Sequence, residues 1–352
     1  MTKTAIMAIT RHGIEIARRI KLKMPEAEIY VPIKHNDGGT DVNWFSDQST
    51  RLLGDLFSAY DALICIFSLG AVIRMIAPHL VDKKKDPAVV VIDDRANNVI
   101  SALSGHLGGA NALARVVATF LSAQPIITTA ADVNETIPVD LLGREFGWTI
   151  ENFENVTKTS AFMVNEEKIA IYQDTGEKNW WHAPLPKNAY IIDNIEQLKL
   201  PEFKAALIIS DRVISDNVIT GKSVIYRPRS LVVGIGLHWD TSKDAIEFGI
   251  KTVFDEKGLS IKSIRNISSI NREAKINGLE EFSKQHEIPV EIYGREELAA
   301  VSVPNPSQTV QKFERTPSVS EASSLLSSKG ELIVPKQKFP PNLTVAVSRI
   351  NF

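Results

Sequence analysis

A histidine and three glycines share one short stretch, Ser104-Gly105-His106-Leu107-Gly108-Gly109-Ala110-Asn111. It lies between a strand-like run, NVISAL, and a helical one, NALARVVATFL. A helix start presents backbone N–H groups that lack intrahelical acceptors, which suits an anion or the charge developing on a carbonyl oxygen. Glycines let a ligand come close to the backbone, Ser104 can cap the helix, and His106 can exchange a proton near neutrality. The same residues also describe a packed corner in which His106 hydrogen-bonds a carbonyl, and local pattern leaves both readings open. The stretch matches neither G-x-x-x-x-G-K-[ST] nor G-x-G-x-x-G, so a nucleotide phosphate loop has little support. No G-x-S-x-G elbow surrounds Ser104, which argues against its being a nucleophile.

Other stretches fall where α/β proteins collect ligands, at strand carboxyl ends and the helix starts that follow them. In SLGAVIRMIAP, Ser68 ends a strand, Gly70 permits a turn and Arg74 lies early in a helix, so Arg74 is either a carboxylate clamp or a solvated arginine. Asp93 and Asp94 read as polar turn chemistry between two strands. Thr128 and Thr129 end a further strand, with Asp132 or Asn134 as helix-cap candidates. Gly234 and Gly236 follow a strand in VVGIGLHWDTS and could cradle a ligand or simply ease packing. Thr316, Ser318 and Ser320 are cap candidates, and Lys336, after ELIVP, either meets a carboxylate or points into water.

The elements that must position these residues alternate. TAIMAIT, EIYVPI, ALICIFS, AVVVID, NVISAL and PIITTA read as strands. HGIEIARRIKLKM, STRLLGDLFSAY, GAVIRMIAPHL and NALARVVATFL read as helices. This order predicts an α/β fold with a mostly parallel sheet. From about Glu151 to Tyr226 the alternation weakens around Trp180 and Trp181, with KIAIYQ and ALIISD as short strands, and an irregular middle segment or linking subdomain is expected. A second α/β unit then begins at SLVVGIGLH. It continues through helices SKDAIEFGIKTVFDEKG, REAKINGLEEFSKQHE, REELAAV and SVSEASSLLSSKG and strands PVEIY, ELIVPK and LTVAVSRI. The expected organisation is an N-terminal α/β domain over 1–150, a linking segment over 151–228 and a C-terminal α/β domain over 229–352, with a cleft between the two domains.

Bulk properties narrow the function classes. The 352 residues carry 40 Lys plus Arg against 42 Asp plus Glu, a formal net charge of -2, so no basic field points to nucleic acid. An acidic ligand would have to be met by a few local cations. The lone cysteine, Cys65, sits in an apolar run and reads as a core thiol. No apolar run approaches the ~20 residues of a membrane span and no signal-peptide pattern opens the chain, so a cytoplasmic protein is expected. No His/Cys cluster has metal-ligand spacing, and HLVDKKKD reads as a solvated loop.

Taken together, these phrases resemble one family. The run from GAVIRMIAPHL through SGHLGGANALARVVATFL to PIITTAADVN is similar to the N-terminal domain of the cobalt-precorrin-5A hydrolases, the cobalamin biosynthesis protein G family. VGIG, LAAVSVPNPS, TPSVSEASSLL and LIVPKQK resemble its C-terminal domain. The chain departs from the family pattern at Leu237 and His238, where Cys-Arg is common, and at Asn271 and Arg272. The resemblance implies a hydrolase acting on a carbon–carbon bond, opening the ring-A δ-lactone of a cobalt-corrinoid and releasing acetaldehyde to give cobalt-precorrin-5B. Cobalt then arrives inside the substrate and no protein cofactor is expected; the partner is a small-molecule corrinoid, with a homodimer as the assembly considered. Under this reading His106 handles the proton, with Ser104 orienting it or the carbonyl. The amides around Gly108 and Gly109 stabilise the oxyanion. The remaining substrate contacts are expected at Ser68, Gly70, Arg74, Gly105, Asn111, Thr129, Gly234, Gly236 and Lys336. The rival reading, from a different class, is a non-catalytic carrier of the corrinoid.

Overall fold

The computed structural model describes residues 3–82, 85–106, 108–272 and 276–352. It divides into two compact units, Met1–Leu141 and Leu142–Phe352. Lys83 and Lys84 of the expected loop, Leu107 of the glycine corner and residues 273–275 of one expected helix lie outside the described residues.

Unit one is a sheet with helices on both faces. Its elements run β1 (Thr4–Ala8), α1 (Arg11–Lys21), β2 (Glu28–Pro32), β3 (Asn43–Phe45), α2 (Ser49–Ala59), β4 (Ala62–Ile66), α3 (Leu69–Ile76), β5 (Ala88–Ile92), β6 (Asn98–Leu103), α4 (Ala110–Leu121), β7 (Gln124–Ile126) and α5 (Ala130–Val133). The strand order is β3-β2-β1-β4-β5-β6-β7. Because side chains alternate along a strand, Ile6, Ile64 and Val90 face α1 and α4, whereas Met7, Cys65 and Val91 face α2 and α3. Strands β1 to β5 share one direction, while β6 pairs antiparallel with β5 and β7 runs parallel to β6. The carboxyl ends of β6 and β7 therefore leave the sheet at the edge where β4 and β5 begin.

Unit two holds two further sheets. The stretch expected to be irregular is itself layered: β8 (Thr149–Ile150), α6 (Val156–Val164), β9 (Ile169–Gln173), β10 (Ala189–Ile192), β11 (Ala205–Ile209), α7 (Asn217–Thr220) and β12 (Ser223–Arg227) form a sheet ordered β10-β9-β11-β12-β8. Its strands are short and its connections long and polar, which is why the alternation fades in the sequence. The third sheet follows, from β13 (Leu231–Leu237), α8 (Lys243–Lys257), β14 (Ile264–Ile270), α9 (Asn277–His286), β15 (Val290–Tyr293), α10 (Arg295–Ala299), α11 (Gln308–Glu314), α12 (Ser320–Ser328), β16 (Glu331–Phe339) and β17 (Leu343–Arg349). Its order is β15-β14-β13-β17-β16, with β17 antiparallel to both neighbours. Among the described residues, no helix is long and apolar enough to cross a membrane.

A buried ion pair joins the two sheets of unit two. Asp211, just past β11, is fully buried and accepts two 2.8 Å hydrogen bonds from the Arg349 guanidinium on β17, plus one of 2.8 Å from Ser230 Oγ. The bidentate geometry satisfies both carboxylate oxygens, as a buried charge requires. Truncating one partner strands the other, so Asp211→Ala is expected to lower stability by about 3–5 kcal/mol. The shift of the urea midpoint at constant slope measures it.

Candidate active site

The glycine corner is built by backbone geometry. Ser104 adopts a left-handed φ of 54° and Gly109 one of 88°. The amides of Gly109, Ala110 and Asn111 donate to the carbonyls of His106, Ser104 and Gly105 at 3.1, 3.2 and 2.9 Å. Gly105 and Gly108 are required by space. A Cβ at Gly105 would lie 2.7 Å from Asn111 Oδ1, and one at Gly108 would lie 2.8 Å from the Ser104 carbonyl oxygen. So the glycines close a tight corner, and the Gly109 amide is committed to it. Of the two expected oxyanion donors, Gly109 donates to the His106 carbonyl, and among the described residues no acceptor is recorded for the Gly108 amide.

His106 projects from this corner with both ring nitrogens facing carboxylates. Nε2 lies 2.6 Å from Asp132 Oδ2, and Nδ1 lies 3.4 Å from Asp140 Oδ1. Asp132 is held from three sides, because it also accepts 2.8 Å from Asn111 Nδ2 and 2.9 Å from Arg115 Nη2. Asn111, buried at the start of α4, further accepts from Ser101 Oγ at 2.7 Å and donates to Thr129 Oγ1 at 3.0 Å. The Asp140 carboxylate, assisted by Asp132 and opposed by burial, raises the His106 pKa above its ordinary 6.5. For Asp132, burial is the largest influence and pushes upward. Hydrogen bonds from Arg115, His106 and Asn111 together outweigh it and bring the carboxyl below its ordinary 3.8.

Ser104 takes no part in orienting His106: its hydroxyl donates to the Asp86 carbonyl at 3.0 Å, tying the corner to the start of β5. The residues that hold the imidazole are Asp132 and Asp140. In the sequence Asp132 resembles a helix cap, and Asp140 lies in an unmarked turn. The available signal was the i, i+4 spacing of Asn111 and Arg115, which places both on one face of α4 where they can converge on a carboxylate.

The other expected contacts lie elsewhere. Ser68, Gly70 and Arg74 follow the carboxyl end of β4, at the sheet edge opposite His106, because β6 runs against β4 and β5. All three are exposed, and Ser68 makes no side-chain cap bond to α3. Gly234 and Gly236 lie in unit two and admit α12. A Cβ on Gly234 would meet the Ser320 carbonyl oxygen at 1.8 Å, and one on Gly236 would meet Thr344 Oγ1 at 2.6 Å. That space is filled by protein rather than open to a ligand. Lys336 donates from Nζ to the Asn305 carbonyl at 2.7 Å, while its amide donates to buried Glu321. Thr316, Ser318 and Ser320 are fully buried, and Ser318 Oγ accepts from the Glu321 amide at the start of α12. Asp93 accepts the amides of Arg95, Asn97 and Asn98, as its turn reading requires. Cys65 is fully buried, and burial pushes its thiol up to about 12, which makes it a core group.

Comparison with known proteins places the whole chain. Family descriptions match in chain order: cobalamin synthesis G N-terminal over 51–132, cobalamin biosynthesis central region over 137–228 and cobalamin synthesis G C-terminus over 231–348. The chain is 42% identical to a curated cobalt-precorrin-5A hydrolase of Priestia megaterium, covering 99% of this chain and 95% of that protein. It is 29% identical to the cobalt-precorrin-5A hydrolase of Salmonella typhimurium, covering 94% and 93%. A solved cobalamin biosynthesis protein G homolog from Sulfolobus solfataricus aligns over 99% of this chain and 97% of its own at 23% identity, with a TM-score of 0.39.

The site's charges make a pH prediction. Raised above 6.5 in the folded protein, His106 contributes stability that is fully present below pH 6.5 and is lost as pH rises through its folded value. The Asp132 contribution is present above 3.8 and is lost as pH falls through its depressed value. The Tm difference between wild type and His106→Gln is therefore expected to be widest near about pH 6 and to narrow by about pH 9. Paired thermal melts across that range measure it.

Proposed function

The chain belongs to the cobalamin synthesis G family, and from that premise we propose that it is a cobalt-precorrin-5A hydrolase. It opens the ring-A δ-lactone of the cobalt-corrinoid and releases the two-carbon fragment as acetaldehyde, leaving cobalt-precorrin-5B. Within the structure, the supporting observation is an imidazole with Nε2 locked on Asp132 at 2.6 Å and Nδ1 at a looser 3.4 Å from Asp140. Nε2–H is fixed on a carboxylate that Asn111 and Arg115 hold in place, so proton exchange is confined to Nδ1. That division, one nitrogen for orientation and one for chemistry, is what general acid–base catalysis by histidine requires.

The chemistry proceeds in two stages. Water adds to the lactone carbonyl carbon and gives a proton to His106 Nδ1, while the oxyanion is met by the Gly108 amide. One such donor contributes about 3 kcal/mol. Collapse breaks the acyl–oxygen bond, and the proton passes to the departing alkoxide, leaving a carboxyl group and a secondary alcohol. In the second stage His106 takes the alcohol proton, and the alcohol's O–H electron pair becomes the C=O of acetaldehyde. The carbon–carbon bond breaks with its electron pair going to the ring-A carbon, which then takes up the proton. The net consumption is one water. Cobalt enters and leaves inside the macrocycle, as part of the substrate. Arg115, about half exposed beside Asp132, is the cation at this corner for a side-chain carboxylate of the macrocycle.

Purified protein given cobalt-precorrin-5A under anaerobic conditions is expected to release one trapped acetaldehyde per substrate. His106→Ala should lower that rate by about 10²–10⁴-fold. A bound corrinoid with no acetaldehyde from wild type would point to a carrier. Undiminished release by folded His106→Ala would remove His106 from the chemistry.

A further inference from the structure

We propose that Asp140 is a positioning residue that acts through His106, holding the exchangeable proton on Nδ1 and setting the pH above which the imidazole can serve as a base. The proposal rests on His106 being the proton handler and adds a division of labour between its two carboxylates.

The two carboxylates differ in how they are held. Asp132 has its oxygens engaged by His106, Asn111 and Arg115 at 2.6–2.9 Å, so it is a fixed, ionised acceptor that keeps a hydrogen on Nε2. Asp140 stands 3.4 Å from Nδ1, too long for a tight hydrogen bond but close enough for a full charge to act on the ring. Its backbone is anchored by buried Ile137 and Val139 on one side and by the Leu141 amide donating to the Pro138 carbonyl. Its side chain is only 16% exposed, as is that of His106. Screening by water is therefore weak across this gap.

The other charges near the ring act differently. Arg115, on α4, spends its guanidinium on Asp132 and offsets that carboxylate's charge. Asp86, beyond Ser104, turns its carboxylate onto the amides of Val81 and Asp82. Asp140 faces the ring from the other side, with Oδ1 3.4 Å from Nδ1. Both carboxylates, Asp140 first, raise the His106 pKa above its ordinary 6.5 against the opposing effect of burial. A proton arriving at Nδ1 from water or from the alcohol is stabilised by Asp140, and the same carboxylate makes that proton slower to leave. Asp140 therefore tunes base against acid competence at one atom, whereas Asp132 supplies orientation.

The test uses the full-length protein. In Asp140→Asn the acid limb of kcat/KM is expected to move down by about one pH unit or more, because an opposite charge at this distance shifts a partner by that order. Asp140→Glu, which keeps the charge, should leave the limb near its wild-type position. Asp132→Asn should instead lower the plateau, through loss of the fixed ring. NMR titration of the His106 imidazole, without substrate, gives the same comparison independently of turnover, and Asp140→Ser serves as a second neutral variant if Asp140→Asn does not fold. An unmoved limb and an unmoved imidazole titration in the neutral variants, with His106→Ala inactive, would overturn the role of Asp140 and leave that of His106 intact. Undiminished acetaldehyde release by His106→Ala would instead remove the reading beneath it.

Discussion

The reversal of β6 decides where chemistry can sit in unit one. Asp93 makes that reversal possible: its carboxylate gathers the amides of Arg95, Asn97 and Asn98 inside a tight turn, with Ala96 at a φ of 55°. An antiparallel strand fed by a short turn carries its carboxyl end back to the edge where its neighbour began. The glycine corner, the start of α4 and the acidic segment after β7 therefore collect beside the first residues of β5, and Ser104 fastens them there through the Asp86 carbonyl. A parallel β6 would have put His106 on the edge that carries Ser68 and Arg74.

Glycine plays two roles here that look alike in sequence. At Gly105 and Gly108 the missing side chain lets a loop close over its own helix start, so that His106 stands at the end of a rigid turn. At Gly234 and Gly236 it lets α12 lie directly on β13, and the cost of close contact is met by buried serines rather than by a ligand. Both patterns place glycines at a strand end near a helix. They differ in what occupies the vacated volume, and in the second case that depends on Ser320 and Thr344, far along the chain.

Much of unit one was legible because its strands are continuous apolar runs and its helices carry clear apolar stripes, which is what burial on both sheet faces demands. The C-terminal sheet was less so. Strand β14, IRNISSI, lies second in its sheet and is buried at all but one position, yet it carries Asn266, Ser268 and Ser269. Those side chains bond Ser327, Ser323 and the Ile235 carbonyl, partners brought by tertiary packing alone. Burial satisfied in this way leaves no hydrophobic period to read. The site shows the same division: His106, Gly105, Asn111 and Thr129 were visible as a local pattern, whereas Asp132 and Asp140 acquire meaning once β7 lies beside β6.

The same topology bears on how a carboxylate-edged macrocycle can be gripped. A five-residue strand such as β4 spans roughly 15 Å, and Arg74 leaves from one end while His106 stands level with the other. One substrate carboxylate cannot meet both. Beside His106, Arg115 pairs with the same Asp132 carboxylate that engages the imidazole. A carboxylate drawn to Arg115 would compete with Asp132 for the guanidinium and leave Asp132 more negative, which strengthens its hold on Nε2–H. Arg115 and the imidazole are thus linked through a single carboxylate, that of Asp132.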